Sequence, residues 1–332
     1  MLRLPRLDVA TPTDLDTALA LLATPGARLV AGGTDILPNL KHRLGEPPLL
    51  VSLAQITRLR DIIEEPQAGV LRIGAGVTLT QTSEHARVRA LFPSLAVAAG
   101  QVASPLIRNM GTLGGNVNLD TRCRYVNQTD FWRSAIGGCL KSGGTVCHVV
   151  PGGRNCVAAL SSDCVPVLMS LGASLVMRSP NGTREVPVAD YFVADGLRNT
   201  VRNDDEITTE IRVPLPTMPR RTAYTKWSVR QSIDFPLLSV ALRFDLEHDR
   251  VSAALTDVRV VVGVLGARPR EVTRLEELRG RAFNDPEVIK AVAERVHAQC
   301  KPLENVPYEA PYRREMLPVH VRRAIAALVA AG

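Results

Sequence analysis

Four of the six cysteines of this chain fall inside one stretch that has little else with which to fold. Cys123, Cys139, Cys147 and Cys156 lie between Asn118 and Leu160, and Cys164 and Cys300 lie outside. The stretch is polar and carries Gly137, Gly138, Gly143, Gly144, Gly152 and Gly153. Such a segment buries little apolar surface of its own, so something other than a hydrophobic core must order it. Four thiolates converging on one inorganic centre would do so. The spacing is Cys-x15-Cys-x7-Cys-x8-Cys. Structural zinc usually uses at least one short Cys-x2-4-Cys step, and none exists here. Iron–sulfur clusters accept wider spacings, because a cubane presents four separated corners. On spacing alone, an iron–sulfur cluster, a zinc ion and four unliganded thiols all remain open.

The 332 residues, 45% hydrophobic and 22% charged, suffice for two or three globular domains. The net charge is +7, but the basic residues are dispersed, in pairs such as Arg220-Arg221, Arg313-Arg314 and Arg322-Arg323. Aromatic residues make up only 4%. Nucleic-acid binding needs a concentrated basic stripe, often with stacking aromatics, so that class is excluded. A solvated basic surface and a docking surface for an acidic protein remain. No apolar run of 18 residues appears, so no membrane span is expected. The first residues lack the apolar core of an export signal, which predicts a cytoplasmic protein without structural disulfides.

Thr11-Pro12 reads as a helix start, with Thr11 as N-cap and Leu15 to Leu22 as its body. A short strand over Arg28 to Ala31 and a helix over Ile36 to Arg43 follow. Leu49 to Leu53 and Val70 to Ile73 read as strands, Leu79 to Arg87 and Leu91 to Val102 as helices. Asn181-Gly182 marks a hairpin between Ser174–Arg178 and Arg184–Val188. Three prolines in Pro214 to Pro219 mark a linker. Beyond it, Val240, Leu242, Phe244 and Leu246 alternate with Ala241, Arg243, Asp245 and Glu247, the period of a half-buried strand. Val288, Val292 and Val296 share one helical face, as do Val321, Ile325, Leu328 and Val329.

Two glycine turns are candidates for phosphate contact. Ala31-Gly32-Gly33-Thr34-Asp35 joins a strand to a helix, and Asn109-Met110-Gly111-Thr112-Leu113-Gly114-Gly115-Asn116 repeats the Gly-Thr and Gly-Gly steps. Without a Cβ, backbone amides can approach an anion closely. Neither turn fits the Gly-x-Gly-x-x-Gly fingerprint, so a Rossmann domain is not the natural reading. Two such turns can wrap one pyrophosphate from two sides; a plain strand-to-helix turn is the alternative for each. His148, beside Cys147, reads as a solvated loop residue rather than a further ligand. Cys164 and Cys300 read as packed small residues. No Ser/His/Asp set and no carboxylate pair stands out.

Taken together, Ala31 to Asp35, Ile73-Gly74-Ala75-Gly76 and Ile107 to Asn116 resemble the FAD-binding medium subunit of molybdenum hydroxylases, the family of xanthine dehydrogenase and carbon monoxide dehydrogenase. Ser161-Ser162-Asp163, Asp190-Tyr191-Phe192, Ile207 to Pro214, Lys226 with Arg230 and Asp234-Phe235-Pro236, and Tyr312-Arg313-Arg314 extend the resemblance over almost the whole chain. It implies an α+β fold: a two-part FAD-binding domain of the PCMH/vanillyl-alcohol-oxidase type, and a C-terminal α+β domain with a small antiparallel sheet. The bounds expected are 1–216, with subdomains of about 1–55 and 56–216, and 217–332. Asn116 and Asp163 are separated by 46 residues here, and this insertion, about 118–160, holds the four clustered cysteines. That combination is similar to the β subunit of 4-hydroxybenzoyl-CoA reductase, whose inserted loop carries an additional 4Fe–4S cluster.

By that resemblance, Cys123, Cys139, Cys147 and Cys156 would hold a 4Fe–4S cluster. Leu29, Val30, Ala31, Gly32, Gly33, Thr34, Asp35 and Ile36 would cradle the FAD pyrophosphate with Gly111, Thr112, Leu113, Gly114, Gly115 and Asn116. Gln101 and Ile107 would lie near the flavin ring, and Asp163, Ile207 and Lys226 would contact FAD. The chain would carry no catalytic residue of its own. A large subunit would hold the molybdenum cofactor and substrate, a small one two 2Fe–2S clusters, in a dimer of heterotrimers with ferredoxin as electron donor. The alternatives are an FAD subunit serving a hydroxylase of another aromatic or thioester substrate, and a stand-alone flavoprotein with a zinc loop.

Overall fold

A computed structural model of the chain describes residues 2–331. Three sheets carry the architecture. The first is parallel: β1 (Asp8–Ala10) and β2 (Arg28–Val30) flank β3 (Leu49–Ser52). The second is antiparallel, built from β4 (Ile62–Glu65), β5 (Val70–Gly74), β6 (Ser174–Ser179), β7 (Gly182–Pro187) and β8 (Ile207–Pro214) in the order β4-β5-β8-β6-β7. The third is also antiparallel: β9 (Arg220–Trp227), β10 (Leu238–Leu246), β11 (Leu255–Gly263) and β12 (Arg270–Glu271) run in sequence order across the sheet. The α+β class expected from the sequence is the class observed. The proline-rich segment joins β8 to β9.

One helix ties the second and third sheets together. Cys164–Leu171 is buried on every side, and Gly172 closes it in the left-handed conformation (φ 75°). Its residues share a core with Leu71, Ile73, Leu175 and Ile211 of the second sheet and with Tyr224, Ala241 and Val261 of the third. This corrects the expectation for β10, all nine residues of which are buried. Val240, Leu242 and Phe244 face the helices Pro286–Gln299 and Ala310–Ala330, as their period predicts. The opposite face meets the central helix, where Arg243 donates to the Ser170 carbonyl at 3.1 Å and pairs with Asp245 and Asp257. Paired charges let that face be buried.

Local signals moved some boundaries. The first helix is Leu15–Leu22, because Asp14, not Thr11, accepts the Thr17 amide proton at 2.8 Å. The helices expected over Leu79–Arg87 and Leu91–Val102 are Leu79–Glu84, Ala86–Leu91 and Pro93–Gly100. Thr78 and Gln81 form a capping box at the first, and Pro93 starts the last. Cys164 and Cys300 are fully buried, as expected. Among the described residues, no helix is long and apolar enough to cross a membrane.

Candidate functional site

The two glycine turns lie against each other. Leu29 and Val30 end β2, Ala31 to Asp35 make the turn, and Ile36 opens the helix Ile36–Lys41. The second turn leaves helix Pro105–Met110 at Gly111. Thr112 then caps the short helix Leu113–Val117, accepting from the Gly115 amide at 3.0 Å. A Cβ on Gly32 would sit 1.9 Å from the Met110 carbonyl oxygen, and one on Gly111 would sit 3.4 Å from Thr34 Oγ1. Only glycine lets these backbones meet. The Ile73 to Gly76 segment joins them: a Cβ on Gly114 would be 2.6 Å from Ala75, and the Gly114 amide donates to the Ala75 carbonyl at 2.9 Å. Asn116 turns inward and accepts from Ser162 Oγ at 2.7 Å and the Cys164 amide at 3.2 Å, fixing this turn to the central helix.

A second group gathers three more of the expected residues. Asp163 is buried, and its carboxylate accepts from Tyr224 Oη at 2.6 Å and Lys226 Nζ at 3.3 Å. Lys226 Nζ also donates to the Gln101 carbonyl at 2.9 Å. Burial raises the Asp163 carboxyl to about 6, against the opposing pull of Lys226 and Tyr224. Tyr224 was not singled out from the sequence. It stands two residues from Lys226 on β9, so strand periodicity puts both on one face. Ile107 is half-buried, in the helix before Gly111. Ile207 is not in this group. It is buried in a separate core with Leu15, Val51 and Leu59.

The four cysteines of the insertion line one cavity, together with Tyr125, Leu140, Lys141, His148 and Ala158 among others. Cys123, Cys139 and Cys156 are buried there and Cys147 is half-buried. Among the described residues, no three Cys, His, Asp or Glu side chains are set around a point where they would hold a single metal ion. Burial pushes the Cys123 thiol up to about 11 and raises Cys156 as well. The stretch is better ordered than its composition implies. Val126 and Ala158 share a small core with the cysteines. Helix Asp130–Ala135 is capped by Thr129. The turns at Gly138 and Gly144 touch so closely that a Cβ on Gly144 would be 2.8 Å from the Cys139 nitrogen. His148 is half-buried rather than free in solvent. Its ring lies 5.2 Å from Tyr125, and Nε2 donates to the Gly138 carbonyl at 2.7 Å.

Arg122 fastens this stretch to the first glycine turn. Its backbone pairs with Ala159 in both directions, at 2.8 and 2.6 Å, closing the neck of the insertion. Its guanidinium pairs with Asp35 and lies 4.1 Å over the Phe235 ring. Asn305 holds the other side, donating to the Val157 carbonyl at 2.7 Å and accepting from the Arg124 amide at 2.7 Å through its own carbonyl. Neither partnership has a sequence signal, because the contacts span 87 and 148 residues.

The two glycine turns meet, and Asn116 of the second ties them to the helix that follows Asp163; comparison with known proteins gives the class of protein that this fold belongs to. The model of the FAD binding domain in molybdopterin dehydrogenase matches residues 5–216, and that of the CO dehydrogenase flavoprotein C-terminal domain matches 223–328. The medium chain of carbon monoxide dehydrogenase from Hydrogenophaga pseudoflava is 31% identical over 326 residues, covering 97% of this chain and 96% of that one. The xanthine dehydrogenase FAD-binding subunit of Escherichia coli O157:H7 is 25% identical over 96% of this chain and 94% of its own length. The solved structure of the Hydrogenophaga pseudoflava enzyme, in a form lacking the Mo-pyranopterin moiety, superposes with a TM-score of 0.78 at 27% identity, covering 99% of both chains. The chain belongs to the FAD-binding medium subunits of the molybdenum hydroxylase family. It is an oxidoreductase subunit that binds FAD and transfers electrons.

Proposed function

We propose that this chain is the flavo-iron–sulfur subunit of a molybdenum enzyme of the 4-hydroxybenzoyl-CoA reductase type. The convergence of four inserted cysteines on one cavity, tied through Arg122 to the turn that carries Asp35, carries the reading. The donor set fits a 4Fe–4S cluster: four cysteine sulfurs on one largely apolar cavity, at spacings without the short Cys-x2-4-Cys step usual for structural zinc. When bound, the cluster supplies one-electron steps, and FAD exchanges one or two electrons. The backbones of Leu29 to Ile36 and Gly111 to Asn116 hold the FAD pyrophosphate. Gln101 and Ile107 lie by the flavin ring, with Asp163 and Lys226 as a charged pair beside it and Ile207 contributing main chain.

In this reading the chain itself does no substrate chemistry. It works in a cytoplasmic dimer of heterotrimers with a large molybdopterin subunit and a small subunit bearing 2Fe–2S clusters. Ferredoxin supplies electrons, and the net reaction removes the phenolic hydroxyl as water to give benzoyl-CoA. The second reading, an FAD subunit of a dehydrogenase that sends electrons outward, is favoured by the relatives, which include a carbon monoxide dehydrogenase chain and a xanthine dehydrogenase subunit. The purified complex separates the two. Conversion of 4-hydroxybenzoyl-CoA to benzoyl-CoA with reduced ferredoxin is expected. Substrate oxidation with electrons released to an acceptor, and no reductive turnover, would establish the second.

A further inference from the structure

The insertion carries an apolar projection that its own fold does not use. Phe131 is 84% exposed and Trp132 37%, side by side on helix Asp130–Ala135. The helix is held firmly. Buried Arg133 donates through Nη2 to the His42 carbonyl at 2.6 Å, and Thr129 caps the N-terminal end. The two rings are therefore presented on a fixed support, not on a loose strand of chain. Single exposed apolar residues are ordinary, but two adjacent aromatic rings on a fixed support beside charged groups have the make-up of a small contact surface.

The rim is positive. Residues 118–160 hold five arginines and lysines against two aspartates. Beside the helix, an open cleft of about 590 Å³ is lined by Arg28, Arg43, Arg133 and Lys141 with Asp120 and Asp130. Lys141 pairs with Asp120 at 2.7 Å, Arg133 with Asp130 at 3.3 Å and Arg43 with Glu46 at 3.8 Å, which leaves Arg28 as the cation of the cleft outside an ion pair among the described residues. The projection also leads inward. Trp132 lies 6.3 Å from Tyr125, and Tyr125 lines the cysteine cavity. Two exposed rings offer far less apolar area than a permanent subunit interface buries, whereas transient electron-transfer complexes use small contacts steered by charge.

We propose that Phe131 and Trp132, with Arg28 on the rim, form the docking site for an acidic electron-carrier protein. The inference rests on the reading of the cysteine cavity as an iron–sulfur site. With a cluster held by Cys123, Cys139, Cys147 and Cys156, each docking event would pass one electron from the reduced carrier, which would be oxidised, to that cluster. No bond forms or breaks.

The test uses the purified holoenzyme complex with two donors, a reduced acidic ferredoxin and reduced methyl viologen. Phe131→Ser is expected to lower kcat/KM for ferredoxin about tenfold, the cost of losing one interface anchor. Turnover with methyl viologen, iron and FAD content, and the elution volume of the complex should not change. Arg28→Glu should lower the ferredoxin rate at low ionic strength, with the difference fading as salt is added. Unchanged ferredoxin kinetics in Phe131→Ser would overturn the proposal. So would dissociation of the complex in that variant, which would make the face a subunit interface. Wild-type complex without iron beyond that of its small subunit would remove the underlying reading, a result visible before any donor is added.

Discussion

Asp163 shows how much one buried side chain can report. Its ordinary pKa is 3.8 and burial lifts it to about 6, so its ionisation costs stability as pH rises through that window. The folded protein binds this proton more tightly than the unfolded chain, and the contribution is complete only below the lower value. Asp163→Asn keeps an acceptor for Tyr224 and Lys226 and removes the titration. Relative to wild type, the variant should therefore gain stability between pH 4 and 6.5, by up to about 3 kcal/mol. Denaturation by urea at several pH values measures it, and a difference that does not vary with pH would refute the assignment. The carboxylate was legible in the sequence as part of Ser161-Ser162-Asp163. Its partner Tyr224 was not, because a tyrosine on a strand carries no mark of the acid it will meet 61 residues away.

At the scale of elements, the glycine turns were legible and the reason is steric. A Gly-Gly step after a strand announces a backbone that must come close to something. The structure shows that the first partner of Gly32 is protein, the Met110 carbonyl. Gly32→Ala places a methyl where that oxygen stands, and the two turns must separate. The expected cost is about 3 kcal/mol or more, because backbone rather than a pliable side chain must shift. FAD should be lost from the purified variant in parallel. Unaltered stability with full FAD would mean that the turns do not meet. Burial was less legible than period. The alternation in β10 gave the apolar face correctly, but burial of the Arg243 and Asp245 face depends on a helix from another part of the chain. The insertion was misjudged for a related reason. Its order owes much to anchors outside it, Asp35, His42 and Asn305, which local composition does not reveal.

For the whole molecule, the arrangement is an FAD-binding frame interrupted at one place. The insertion leaves after the second glycine turn and returns just before Asp163, so its two ends adjoin that turn and the start of the central helix. Arg122 and Ala159 close its neck, and its cysteines meet in one cavity. This connectivity explains how a polar segment can be added without disturbing the sheets on either side. The central claim is that the cavity holds an iron–sulfur cluster, and Cys139→Ser in the purified complex tests it most directly. Wild-type complex should contain about four irons and four sulfides per chain beyond those of its small subunit, and the variant should lose them while keeping the small subunit's iron. The same iron and sulfide content in both proteins, or one zinc and no excess iron in the wild type, would contradict the claim.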